Sequence, residues 1–174
     1  DFYNGAFPAE YNNALSGVFD MHLRNGNNQK YEHTFQVGLM GIDLSSEGPI
    51  SKKRGSSYLI NYRFSTTSLA SGNDINLKYQ DLAFKLNFPT RKAGTFSIWG
   101  LGLIDKNKSE LSDRSEWETL GDRQSGENNL DKSAGGLTHK YHINENTYIR
   151  SSLSATYSKD HTIVDQQVDD KLIR

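Results

Sequence analysis

The chain has 174 residues, no cysteine, a formal charge of -1 and a mean hydropathy of -0.72. Without cysteine there are no disulfides, thiolate metal sites or cysteine nucleophiles, and the near-neutral balance offers no basic face for nucleic acid. No run approaches the roughly 20 apolar residues of a membrane-spanning helix, whereas a β-barrel span, in which each strand is only half apolar, stays open.

The opening residues, Asp1 to Gly5, lack the basic and apolar regions of a signal peptide. Phe2, Tyr3, Phe7 and Tyr11 are spaced irregularly among turn-forming residues such as Asn4, Gly5 and Pro8. From Gly17 to Arg24 the pattern becomes strict, with Phe19, Met21 and Leu23 on one side. A strand is expected there, ended by Asn25-Gly26-Asn27-Asn28 and in need of a neighbouring sheet to cover its apolar side.

Tyr31, Phe35, Val37 and Leu39 then occupy odd positions, and Ile42, Leu44 and Ile50 even ones. Successive strand residues point to opposite faces, so this change of parity requires a bulge or a tight turn, and Gly38 and Gly41 bracket it. Two short antiparallel strands are expected, Tyr31 to Val37 and Ile42 to Ile50. After the basic turn Ser51-Lys52-Lys53-Arg54-Gly55, a third strand carries Tyr58, Ile60, Tyr62 and Phe64 against Asn61 and Arg63.

Thr66 to Asn76 reads as a polar connection. A fourth strand sets Leu82, Phe84, Leu86 and Phe88 against Asp81, Lys85 and Asn87, and the short turn 89–94 follows. The fifth strand, Phe96 to Ile104, has apolar residues on both faces, which leaves two readings: a covered second face, or a shift of parity near Gly100 and Gly102. Asp105 to Lys132 is hydrophilic and reads as a long loop in preference to a helix over Glu110 to Leu120. A sixth strand, Ala134 to Ile143, sets Leu137, Tyr141 and Ile143 against Thr138, Lys140 and His142. The seventh, Tyr148 to Tyr157, sets Ile149, Leu153, Ala155 and Tyr157 against Arg150 and Ser152. The tail from Ser158 reads as frayed, or at most half a strand.

The connections sort by position. Those after the second, fourth and sixth strands are short, and those after the third and fifth are long and polar. Up-and-down strands place alternate links at opposite ends, so one end carries turns and the other loops, as in outer-membrane barrels. Tyr58, Phe88, Phe96, Tyr148 and Tyr157 near strand ends suit an interfacial girdle, although ordinary packing explains them equally well.

Little in the chain carries chemistry. His139 and His142, three apart on a strand, fall on opposite faces and do not form a metal pair. Ser, His and Asp are all present, but no Gly-x-Ser-x-Gly elbow is, and Gly100-Leu101-Gly102 lacks the rest of a nucleotide fingerprint. Asp165, Asp169 and Asp170 lack calcium-loop spacing. Lys52, Lys53, Arg54, Arg91 and Lys92 have a plain reading as solvated turn charges and a second as contacts to anionic lipid headgroups. Neither an enzyme nor a cofactor is expected.

Three stretches resemble one family. Phe7 to Arg24, with Tyr11-Asn12-Asn13-Ala14-Leu15-Ser16-Gly17-Val18 at its centre, is similar to the end of the plug domain of TonB-dependent outer-membrane receptors, with Asn12 where glycine is common. Glu47-Gly48-Pro49-Ile50 is similar to the Gly-Gly-Pro-Leu-like end of that family's second barrel strand. Tyr79 to Phe88 resembles the fourth strand of Bacteroidetes-type members.

The resemblance implies an all-β fold of antiparallel up-and-down strands, a partial segment of a large outer-membrane β-barrel of about 22 strands filled by a plug. Residues 1–28 would be the end of the plug and residues 29–174 the first roughly seven barrel strands. The lumen-facing candidates are Asn61, Arg63, Lys85, Asn87, Thr138, Lys140, Arg150 and Ser152. Implied partners are TonB, acting through sequence upstream of this chain, a nutrient ligand met by the long loops, outer-membrane lipid and a surface lipoprotein. The unpaired edges of an excised sheet are expected to pair with another copy. The alternative is a secreted, soluble β-sandwich binding or adhesin-like module, with its apolar faces packed sheet on sheet.

Overall fold

The computed structural model describes residues 2–4, 11, 16–39, 41–65, 75–109, 111, 114–118, 123–168 and 171–173. A small two-stranded sheet pairs β1 (Phe2–Tyr3) with β2 (Val18–Phe19). The remaining strands are β3 (Glu32–Gly38), β4 (Gly41–Ser51), β5 (Ser56–Phe64), β6 (Ile75–Pro89), β7 (Thr95–Ser109), β8 (Gln124–Asn144), β9 (Thr147–Val168) and β10 (Lys171–Ile173). They form one eight-stranded antiparallel sheet in strict chain order. The sheet is open, because β3 and β10 each have a neighbour on one side only.

The parity change between the first two strands is a hairpin, closed by Gly38 opposite Gly41. A Cβ on Gly41 would come within 2.6 Å of the Phe64 carbonyl oxygen, so the close approach of β5 requires glycine there. The short turns behave similarly. Gly55 (φ 70) and Gly94 (φ 78) hold the left-handed conformation that ends the turns between β4 and β5 and between β6 and β7.

The fifth strand keeps its parity. β7 pairs without interruption to β6 and β8 along its whole length, with Phe96, Ile98 and Ile104 on one face and Trp99, Leu101 and Leu103 on the other. Gly100 is accounted for by its partner Phe84, whose ring lies across it. A Cβ there would stand 2.4 Å from that ring, an arrangement that lets an aromatic fill the gap a strand glycine leaves.

Three expectations are corrected. Residues 105–109 and 124–132, read as loop, continue β7 and β8, and in the connection that remains the described regular structure is a short 3-10 turn, Arg114–Glu116. The tail is a strand as far as Val168. Gly17 to Arg24 is not one strand. Only Val18–Phe19 pairs, Phe2 stacks on Phe19 at 4.5 Å, and Met21 is left 80% exposed. These errors share one cause: strand formation follows hydrogen-bonding partners, which charged residues accept and apolar alternation alone does not supply.

Among the described residues no hydrophobic side chain is buried. The accessible surface is 13133 Å², against about 8,600 Å² for a compact monomer of 19.6 kDa. The sandwich expectation fares accordingly: among the described residues, no second sheet covers the apolar face of the eight-stranded one, where Phe35, Leu44, Ile60, Leu82, Ile98, Leu137 and Leu153 are all exposed.

Candidate functional site

The registers divide the large sheet into two faces of opposite chemistry. One row of paired residues runs Phe35, Leu44, Tyr62, Leu82, Gly102, Ser133, Tyr157, and a parallel row runs Gly48, Tyr58, Leu86, Ile98, Leu137, Leu153. Between them lie Ile60, Phe84, Gly100, Gly135 and Ala155, so the apolar residues of separate strands merge into one band. Along β7 the band runs from Phe96 to Ile104. That is about 27 Å at ~3.4 Å per residue, or about 21 Å upright for a strand tilted ~40°. Past it the same face turns polar through Lys78, Lys106, Asn129 and His161, one row across four strands.

All eight lumen-facing candidates lie on the opposite face. Ser57, Asn87, Ser97, Thr138 and Ser152 form one row, in which Ser97 donates to Asn87 Oδ1 at 3.0 Å. Lys140 and Arg150 sit directly opposite each other in the next pair toward the turn, and the Lys140 ammonium lies 4.4 Å from the centre of the Tyr148 ring. Asn61 and Arg63 stand apart from these. Asn61 donates to Asp43 Oδ1 at 2.8 Å and Arg63 pairs with Asp81 at 3.1 Å, a direct cross-strand ion pair. Lys85 reaches off the sheet and donates to the carbonyl of Leu23 at 2.6 Å.

That last contact marks what the sequence concealed. Residues 23–28 have no regular structure, yet they are pinned to the polar face near the start of β5. Gly26 is buried so close to Tyr58 that a Cβ would overlap its carbonyl oxygen. Glu47, on the same face, gathers three donors: both terminal nitrogens of Arg24, one at 2.7 Å, and the backbone N–H of Asn27 at 2.7 Å. Asn27 also donates to Glu32 at 3.0 Å. Buried Ser56, Ser57 and Asn87 lie in this neighbourhood. Parity places Glu47 on the polar face, but no local signal predicts that Arg24, 23 residues away, seeks it.

Replacing Glu47 with Ala should lower stability by about 1–2 kcal/mol, the low end for hydrogen bonds to a charged group because the Arg24 side chain is 63% exposed. Glu47→Gln, which keeps one acceptor, should lose about half of that. The denaturation midpoint and hydrogen exchange at the Asn27 amide measure the two effects.

Two of the girdle candidates change place. Tyr58, Phe88 and Phe96 are on the apolar face beside the short turns. Tyr148 is on the polar face opposite His142, and Tyr157 is well inside β9 because that strand runs on to Val168. His139 and His142 do face opposite ways. His139 stacks on Phe96 at 4.3 Å and its Nε2 lies 2.6 Å from the Ala93 carbonyl oxygen. Among the described residues no group of three or more His, Cys, Asp or Glu side chains is placed to hold a metal.

Beside the small N-terminal sheet, where the Tyr11 ring lies 5.5 Å from that of Tyr3, the Tyr11 hydroxyl donates to Asp20 at 2.8 Å and holds that carboxyl below its ordinary range, assisted by His22 at 3.1 Å.

Fold and site together define an all-β antiparallel meander with one uncovered apolar face and one polar face, against which an upstream segment is fastened. Compared with family models, curated proteins and solved structures, the chain matches none.

Proposed function

We propose that this chain is part of the wall of a TonB-dependent outer-membrane receptor that imports a nutrient. Residues 1–28 are the end of the plug and the strands from residue 29 on are the first of the barrel. The observation that carries this reading is the apolar band. It is continuous across β3 to β9, exposed, and close in height to the ~25 Å apolar belt of outer-membrane barrels.

Two further features support it. Successive short turns step in one direction: counted on the strands without bulges, the β6–β7 turn lies one residue beyond the β4–β5 turn, and the β8–β9 turn three residues beyond that, as Ser57↔Asn87 and Thr95↔Lys140↔Arg150 fix the rows. Tilted, staggered strands are what barrel closure requires. The segment fastened at Glu47 and Lys85 lies on the polar side, where a plug leaves its barrel. In this reading β6 to β9 rise past the membrane at the loop end, where nutrient and a surface lipoprotein would meet the receptor. TonB acts through upstream sequence and moves the plug.

The test uses the absence of cysteine. Single cysteines replacing Leu137, Thr138, Ser152 or Leu153, each carrying an environment-sensitive fluorophore, are reconstituted into vesicles whose acyl chains carry bromine. Strong quenching at 137 and 153 with little at 138 and 152 is the expected alternation. Equal quenching at adjacent positions, or none anywhere, would exclude a lipid-facing band.

A further inference from the structure

We infer that the short-turn end of the sheet is a binding rim for the anionic headgroups of the phospholipid leaflet on that side; the inference rests on the membrane reading above. The two described basic turns present Lys52, Lys53, Arg54, Arg91 and Lys92, all exposed. Among the described residues none of the five is ion-paired. The third turn adds one acid, Glu145. Five cations against one anion, in a chain whose net charge is -1, is a concentration of positive charge at one end rather than a general basicity. At the loop end, by contrast, the same face mixes signs, with Lys106, Asp131 and Lys159 close together in the ladder.

The rim is held at a fixed depth. Arg54 N–H donates to Ser51 O at 3.2 Å and Gly55 N–H to Lys52 O at 3.3 Å. Thr90 donates to Gly94 O at 2.8 Å from its backbone and at 2.7 Å from its hydroxyl. His139 ties the second turn to the apolar wall by stacking on Phe96 while bonding Ala93. The cations of these two turns therefore stand just beyond Tyr58, Phe88 and Phe96, the last aromatic residues of β5, β6 and β7 on the apolar face at that end. An aromatic ring at the hydrocarbon boundary with ammonium and guanidinium groups one step outward places positive charge at the depth of lipid phosphates. An anionic leaflet attracts each such cation enough to raise binding about fivefold, and salt screens the attraction.

The experiment compares the full chain with a variant carrying K52Q, K53Q, R54Q, R91Q and K92Q. Partition is measured into phosphatidylcholine vesicles and into vesicles with about 30% phosphatidylglycerol, across a salt series, with a fluorophore at Leu137→Cys reporting acyl-chain contact in both. The unsubstituted chain should prefer the anionic vesicles at least about tenfold at low salt, and the preference should fall as salt rises. The variant should lose the preference while its fluorophore stays in contact with acyl chains. An equal preference in chain and variant, or no preference in either with the fluorophore still quenched, would overturn the rim while leaving the wall reading intact. Loss of quenching in both vesicle types would overturn both. Circular dichroism of the variant, and the salt series on the unsubstituted chain alone, keep the result independent of how well the variant folds.

Discussion

Arginine in place of Leu137 should lower the stability of the bilayer-inserted chain by about 2–4 kcal/mol, whereas arginine at Thr138, the next residue, should cost less than about 1 kcal/mol. Leu137 lies in the row of Leu86, Ile98 and Leu153, inside the apolar band, where in the proposed receptor wall a guanidinium would have neither water nor a partner. Thr138 lies in the row of Asn87, Ser97 and Ser152, on the face that meets water or plug in the proposed receptor. Depth should grade the effect. Ile104, paired with Gln80 and Asp131 at the edge of the band, should tolerate arginine at about 0–1 kcal/mol. In a protein whose faces all meet water the contrast would vanish, because Leu137 is already 43% exposed and substitutions at such positions stay within about 0.5 kcal/mol. Urea titration of the three variants in vesicles measures the gradient, and equal midpoints for positions 137 and 138 would remove the argument for a lipid-facing side.

The contrast between positions 137 and 138 was legible in the sequence, because alternation is a local property. Tyr58, Ile60, Tyr62 and Phe64 announce a face by themselves, and the eight polar candidates follow from the same parity. Strand length was not legible. Between Asp105 and Ser109 both faces are polar, with Lys106 and Lys108 on one and Asp105 and Asn107 on the other. What extends β7 there is the ladder to β8, whose residues lie far along the chain. The same holds for Ser158 to Gln166, carried by pairing with Gln124 to Lys132. The fastening of residues 23–28 was hidden for a different reason. It depends on side chains reaching backbone across long intervals, Lys85 to Leu23 and Glu47 to Asn27, and a segment without regular structure has no periodicity to read. The double-sided apolar character of β7 was visible but ambiguous. Phe84 lying over Gly100 resolves it, because the glycine makes room for a ring and does not mark a break in register.

In detergent-free buffer the chain should self-associate through β9. Beyond the short pairing of β10 with Gln166 to Val168, the outer edge of β9 from Thr147 to Val164 has no neighbouring strand among the described residues. An open strand edge is a template for another chain. β9 lacks the usual guards: it contains no proline, and Ser151 to Tyr157 carries no charge. The edge of β3 is a weaker template, seven residues long and bearing Glu32, whose carboxylate is already paired with Lys30. Two copies meeting antiparallel along β9 would share a two-fold axis, so dimers should precede larger species as concentration rises. Along a strand, adjacent residues alternately turn their N–H toward β8 and toward the open side. Of Ser154→Pro and Ala155→Pro, one should therefore abolish association with the sheet intact, and the other should break the β8 ladder and lower stability by several kcal/mol. Sedimentation velocity and thermal unfolding separate the two. If both variants associated as the unsubstituted chain does, another surface would be responsible. A monodisperse monomer of the unsubstituted chain at high concentration would mean that this edge is guarded by something its own composition does not supply.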